Sequence, residues 1–197
     1  MSGLRTDRRT VRLSLTGLQR GRRRSSLGHS KCYGIPFWGR KDAMDLDPST
    51  DLSFTRTLPI SPSVVWACWT TPEHIMQFFV PKPNLVTACD IDLKVGGRFN
   101  TTFDVEGNVM ENNGIFLDLI ENSRIVFSDA FTEGWKPNPE PFMTAIIDLA
   151  PDGNGGTRYT ATARHRSAES RKMHEDMGFY VGWGIVVDQL VEYAQTL

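Results

Sequence analysis

Between Leu85 and Arg166 apolar and polar residues alternate in run after run, and from about Ser167 to the C-terminus the repeat lengthens to that of a helix. A period of two followed by one of about 3.6 restricts the chain to a sheet with one buried face and a helix laid against it. The runs are Leu85 to Leu93, Arg98 to Val105, Ile115 to Leu119, Ile125 to Phe131, Phe142 to Leu149 and Thr157 to Arg166. Glu106-Gly107, Asn112-Asn113-Gly114 and Asp152-Gly153-Asn154-Gly155-Gly156 read as turns or bulges between them. Phe142 to Leu149 is apolar on both faces, which predicts a central strand. In the helix, Phe179, Trp183, Val186, Leu190 and Tyr193 form one stripe, and Met173, Met177, Tyr180, Val187 and Val191 a second. Gly178, Gly182 and Gly184 interrupt it, each at a cost of up to about 1 kcal/mol relative to alanine. Close approach of a sheet, or space kept for a ligand, would explain them.

Upstream, Asp51 to Pro59 carries Leu52, Phe54, Thr55 and Thr57 and predicts a first strand ended by proline. Ser61-Pro62 and Thr71-Pro72 each set a capping hydroxyl before a proline, the signature of a helix start, and Glu73 adds an acid to the second. Val64, Val65, Ala67 and Cys68, then Ile75, Met76, Phe78 and Phe79, form the apolar sides of two short helices. The fold class is therefore α+β. It has a curved antiparallel sheet of about six or seven strands wrapped on a long C-terminal helix, with two short helices after the first strand.

Charge divides the chain differently. Residues 1–41 hold nine Arg and two Lys against Asp7 alone, a net of +10, and the rest carries −11. A run of one sign repels itself, so residues 1–43 read as a basic, disordered arm and residues 48–197 as the folded domain. The arm has the composition of a targeting segment, and an equally simple reading makes it translation upstream of a start at Met44. Specific nucleic-acid binding is not expected, because few aromatic residues are interleaved with the arginines. Cys32, Cys68 and Cys89 cannot all pair and show no C-x-x-C spacing, which fits reduced thiols and a cytoplasmic location. The longest uncharged run near the C-terminus, Met177 to Val187, is too short for a membrane span.

Several chemistries lack their signatures. His74, His165 and His174 form neither H-x-H nor H-E-x-x-H, so no metal is expected. Gly96-Gly97 lacks the Lys-Ser/Thr ending of a phosphate loop, and no G-x-S-x-G elbow is present, so no cofactor or serine nucleophile is expected either.

From about Leu52 onward the chain resembles the SRPBCC (START-like) helix-grip superfamily and, within it, the family of the activator of heat-shock-protein ATPase homologues. The resemblance rests on Arg56 to Trp66 followed by Thr70-Thr71-Pro72-Glu73, on Asp92 to Phe99, on Gly114-Ile115-Phe116, on Gly155 to Arg158, and on Gly182-Trp183. Lys94 stands where the family usually has Arg, and Phe78 or Phe79 where a Trp often precedes the proline, here Pro81. It implies a helix-grip fold with an apolar cavity between sheet and C-terminal helix. Relatives of this fold bind small molecules, act as cyclases or hydratases, or stimulate a chaperone ATPase. The preceding arm is too short and too charged to replace the separate N-terminal domain of the two-domain co-chaperones.

Inward strand faces and the helix stripes nominate Phe99, Phe103, Met110, Phe127, Phe142, Tyr159, Met177, Phe179 and Trp183 as cavity wall, with Trp135, in a proline-stiffened loop, over its mouth or on a partner surface. Asp129, His165 and Asp92 are the polar candidates. A buried Asp129 between Phe127 and Phe131 suits a general acid or base, whereas a hydrogen-bonded turn would make it structural. His165, beside Arg164 and Arg166, reads as a solvated side chain. The leading expectation is a binding protein for a small hydrophobic molecule, with a homodimer left open. The alternatives are a cyclase- or hydratase-type enzyme using Asp129 or His165, and a module that contacts a chaperone ATPase.

Overall fold

The computed structural model describes residues 45–197. The arm of residues 1–43, with its readings as a targeting segment or as sequence upstream of Met44, lies outside the described residues.

The elements run β1 (Asp51–Leu58), α1 (Pro62–Thr70), α2 (Pro72–Phe78), β2 (Leu85–Ile91), β3 (Arg98–Val105), β4 (Asn108–Ile120), β5 (Arg124–Ser128), β6 (Phe131–Thr132), β7 (Lys136–Pro137), β8 (Thr144–Pro151), β9 (Thr157–Arg164), α3 (Ala168–Asp176) and α4 (Phe179–Ala194). Seven strands form one sheet in the order β1-β9-β8-β5-β4-β3-β2, every pair antiparallel, and β6 and β7 form a separate small hairpin. Local chemistry explains the boundaries. Ser61 caps α1 by accepting from the Val64 amide at 3.4 Å, while Thr71 makes no such bond with α2. Glu106 and Gly107 both take positive φ, the turn that joins β3 to β4. At the β8–β9 turn the Asp152 carboxylate accepts from the amides of Asn154 at 2.7 Å and Gly156 at 2.8 Å.

Three expectations are corrected. The stretch Asn112-Asn113-Gly114 is not a turn, because β4 runs straight through it. Glycine is required there for close approach: a Cβ on Gly114 would lie 2.6 Å from the Ser128 carbonyl oxygen of β5. The apolar run from Phe142 becomes a strand only at Thr144 and pairs between β5 and β9.

The C-terminal helix is two helices. Gly178, at φ +94°, ends α3 in the left-handed conformation and begins α4. Phe179, Trp183, Val186, Val187 and Leu190 of α4 are buried against the sheet, whereas Met173, Met177 and Tyr180 are exposed, so the second stripe is reduced to Val187 and Val191. Nothing lies within 4 Å of a Cβ built on Gly182 or Gly184, so neither is explained by close approach.

The core lies between the inner sheet face and the helices α1, α2 and α4. Ala145, Ala161 and Ala163 on the inner faces of β8 and β9 are small, which leaves volume for the large rings of Trp69 and Trp183. No helix among the described residues is long and apolar enough to cross a membrane.

Candidate functional site

The inner face of β3 to β5 meets α1, α2 and α4 in a cluster of aromatic rings. Trp69, fully buried on α1, is at its centre, with ring centroids 5.3 Å from Phe78, 5.0 Å from Phe79, 6.0 Å from Phe127 and 6.1 Å from Trp183. Phe99 stands 4.3 Å from Phe127 and 5.2 Å from Phe116. Phe79 then reaches outward to Phe103 at 5.7 Å, edge to face. Both of these are only partly buried, so the cluster runs from the deepest core to the surface beside α2. Edge-to-face contacts of this kind add about 1 kcal/mol each beyond area burial.

Of the nominated wall residues, Phe99, Phe103, Phe127, Phe179 and Trp183 belong to this aromatic packing, and Tyr159 is buried with them in the core. Met110, Met177 and Trp135 do not: they are 51%, 69% and 53% exposed. Met110 lies on the β3–β4 hairpin, which extends beyond the helices, and Met177 sits at the junction of α3 and α4. Trp135 closes the β6–β7 hairpin and packs on Gly96, where a Cβ would come within 2.9 Å of the indole, so it covers the loop before β3 rather than a cavity mouth. Phe142 is half-buried and faces the histidines instead, 4.7 Å from His174.

Trp69, Phe78, Phe79 and Phe116 are the members that the sequence reading missed as site residues. Trp69 carries the signal that would have found it, since it follows Val65 by one helical turn. Gln189 had no such signal. It is 7% exposed on the apolar side of α4 and uses every polar atom: Nε2 donates to the carbonyls of Phe78 and Val80, both at 2.9 Å, and Oε1 accepts from the Lys82 amide at 2.9 Å. That side chain holds the end of α2, and with it Phe78 and Phe79, against α4.

The polar candidates occupy other places. Asp129 follows β5, and its carboxylate accepts from the Phe142 amide at 2.6 Å and the Met143 amide at 3.0 Å, fixing the chain as it enters β8. Asp92 pairs with Lys94 at 2.7 Å in the loop before β3. His165 is 8% exposed, not solvated, because the segment before β1 and α3 close over it. A carbonyl can only accept, so His165 Nδ1 donates to Thr50 O at 2.9 Å. In the neutral pair its Nε2 then accepts from His174 Nδ1, also at 2.9 Å. Phe142 and Phe179 flank His174.

Burial, and then the neighbouring His165, push the His174 imidazole from 6.5 down to about 4. Between those values the unfolded chain holds a proton that the native state refuses, so native stability falls as pH drops from 6.5 toward 4 and is unaffected above that window. The expected loss attributable to His174 is about 2 to 3 kcal/mol. Urea unfolding of the protein and of His174→Leu at pH 7 and pH 4.5 measures it: the variant is expected to lose that much less over the interval. Equal losses would mean that carboxylates alone carry the acid sensitivity.

Burial pushes the thiols of Cys68 and Cys89 up to about 11 and about 12, so neither is a ready nucleophile. Among the described residues no cluster of three or more His, Cys, Asp or Glu is arranged to hold a metal. Two surface depressions, of about 240 Å³ beside His165 and about 390 Å³ between β1 and α4, lie apart from the aromatic cluster.

Residues 59–195 match the family described as activator of Hsp90 ATPase homolog 1-like protein. The chain belongs to this family. A protein of Nitrosomonas europaea whose crystal structure is known is 39% identical, with a TM-score of 0.74 over 77% of this chain and 97% of that one. A Rhodobacter sphaeroides protein at 18% identity and TM-score 0.66 covers 78% of this chain and 97% of its own. The solution structure of an AHSA1-like protein from Aeromonas hydrophila, 18% identical with a TM-score of 0.57, covers 74% and 92%. These two share the fold. No curated protein matches. For this family the α+β helix-grip plan, with a seven-stranded antiparallel sheet and a C-terminal helix, is the architecture described above.

Proposed function

We propose that the protein binds a small apolar molecule within the aromatic cluster between the sheet and helices α1, α2 and α4. The observation that carries this reading is the continuity of the cluster from buried Trp69 to half-exposed Phe79 and Phe103. A molecule entering beside α2 exchanges one aromatic contact for another, and only the short segment held by Gln189 has to yield. The arrangement favours binding over acid–base catalysis. The Asp129 oxygens and both His165 ring nitrogens, the groups on which an enzyme reading depends, are engaged in bonds that shape the backbone or dock α3.

Isothermal titration with 2-ethylnaphthalene, a probe about the size of one indole and its substituents, tests the reading. Saturable binding of one molecule per chain is expected, with a thermal shift equivalent to about 2.7 kcal/mol at a hundred times the dissociation constant. Phe79→Ala is expected to alter the affinity, and Tyr180→Ala, on the exposed side of α4, to leave it unchanged. Absence of saturable binding would remove the proposal.

A further inference from the structure

Two polar atoms stand in the core without partners. Trp69 Nε1 and Tyr159 Oη are buried and make no hydrogen bond among the described residues. Both residues are fully buried. They are neighbours: burial holds the Tyr159 hydroxyl well above its usual pKa, and the adjacent indole offsets part of that effect. Close as they are, the two do not meet hydrogen-bond geometry with one another. Buried polar groups are almost always paired, so two orphans side by side ask for a shared partner.

Their chemistry limits what that partner is. An indole N–H only donates, whereas a phenol hydroxyl donates or accepts. A ligand donor would satisfy the tyrosine and leave the indole unpaired. One oxygen with two lone pairs satisfies both. The oxygen is uncharged, because the buried cluster around it contains no cation and an unpaired carboxylate there is heavily penalised.

We propose that Trp69 Nε1 and Tyr159 Oη together donate to a single neutral carbonyl or ether oxygen of the bound molecule, so that the ligand class is an aromatic or aliphatic ketone, ester or ether rather than a bare hydrocarbon or an acid. This rests on the binding reading above and adds the polar anchor to it.

The test compares 2-acetylnaphthalene with 2-ethylnaphthalene, which has nearly the same shape and lacks the oxygen, on the protein and on Tyr159→Phe and Trp69→Phe. Each variant keeps a ring and removes one donor. Each is expected to weaken the ketone about tenfold and to leave the hydrocarbon within about twofold. Without any probe, Tyr159→Phe is expected to melt at the same temperature or higher, since it deletes an unpaired hydroxyl. Equal weakening of both probes would assign the two residues to packing and overturn the anchor while leaving the binding reading intact. A lower melting temperature for probe-free Tyr159→Phe would make the hydroxyl a structural bond and also overturn it. If neither probe binds the parent protein, the binding reading fails and the anchor with it.

Discussion

Gly97→Ala is expected to lower the stability of the folded domain by about 3 kcal/mol or more, enough to unfold much of a marginally stable protein at ambient temperature. A Cβ at this position would lie 2.0 Å from the Asp92 carbonyl oxygen and 2.9 Å from that of Lys94. Both obstacles are main chain, so no side chain can swing aside. The loop cannot retreat cheaply either. The Gly97 amide donates to Lys94 O at 2.9 Å, its carbonyl accepts from Phe116 N at 3.0 Å, and Gly96 N donates to Phe116 O at 2.8 Å. The loop is thus tied to β4, next to the buried Phe116 ring. Gly184→Ala supplies the control and the opposite sign. Nothing stands within 4 Å of its Cβ and it lies inside α4, so alanine is expected to stabilise by about 0.5 to 1 kcal/mol. Urea midpoints of the two variants decide the matter. A loss under about 1 kcal/mol for Gly97→Ala would show that the loop rearranges, and no gain for Gly184→Ala would point to a role for bare backbone on the α4 surface.

Gln189→Leu carries the second large effect, about 3 kcal/mol. Leucine nearly preserves volume and hydrophobic contact, so the change isolates the hydrogen bonds. It strands the carbonyls of Phe78 and Val80 and the amide of Lys82 in a half-buried segment. Each buried orphan costs about 1 to 3 kcal/mol, with partial rehydration lowering the sum. The loss should be local as well as global. Hydrogen exchange at the Lys82 amide is expected to accelerate more than exchange in β8 or β9, and binding of an apolar probe near Phe79 to weaken. Unchanged exchange at Lys82 would mean that the segment finds other partners and that Gln189 does not hold α2 in place.

The elements whose chemistry is local could be read before any coordinates. Alternation placed β3, β8 and β9 within two residues of their ends. The proline and hydroxyl pairs placed the starts of α1 and α2, and the Asp152-to-Gly156 turn was visible as a cluster of turn formers. The misreadings share a cause. Asn112-Asn113-Gly114 looks like a turn because its composition suits one, yet the same glycine serves where β5 presses close. Met110 and Met177 fall on the apolar phase of their elements, but phase says nothing about where an element outruns the layer that covers it. His165 looked solvated between two arginines because burial by α3 and the segment before β1 is a long-range event.

What the sequence by itself determined is the plan: a buried-face antiparallel sheet, two short capped helices, and an apolar C-terminal helical stripe led by Phe179, Trp183, Val186 and Leu190. These follow from residue periodicity and from capping chemistry, both of which act over a few neighbouring positions. Only the tertiary structure decided which rings meet, that Trp69 and Tyr159 bring two unpaired polar atoms together, and that Gln189 fastens α2 to α4 across 107 to 111 residues of chain. Those outcomes depend on the relative placement of layers, and no local pattern in the chain encodes the distance between two side chains that different elements carry to the same point.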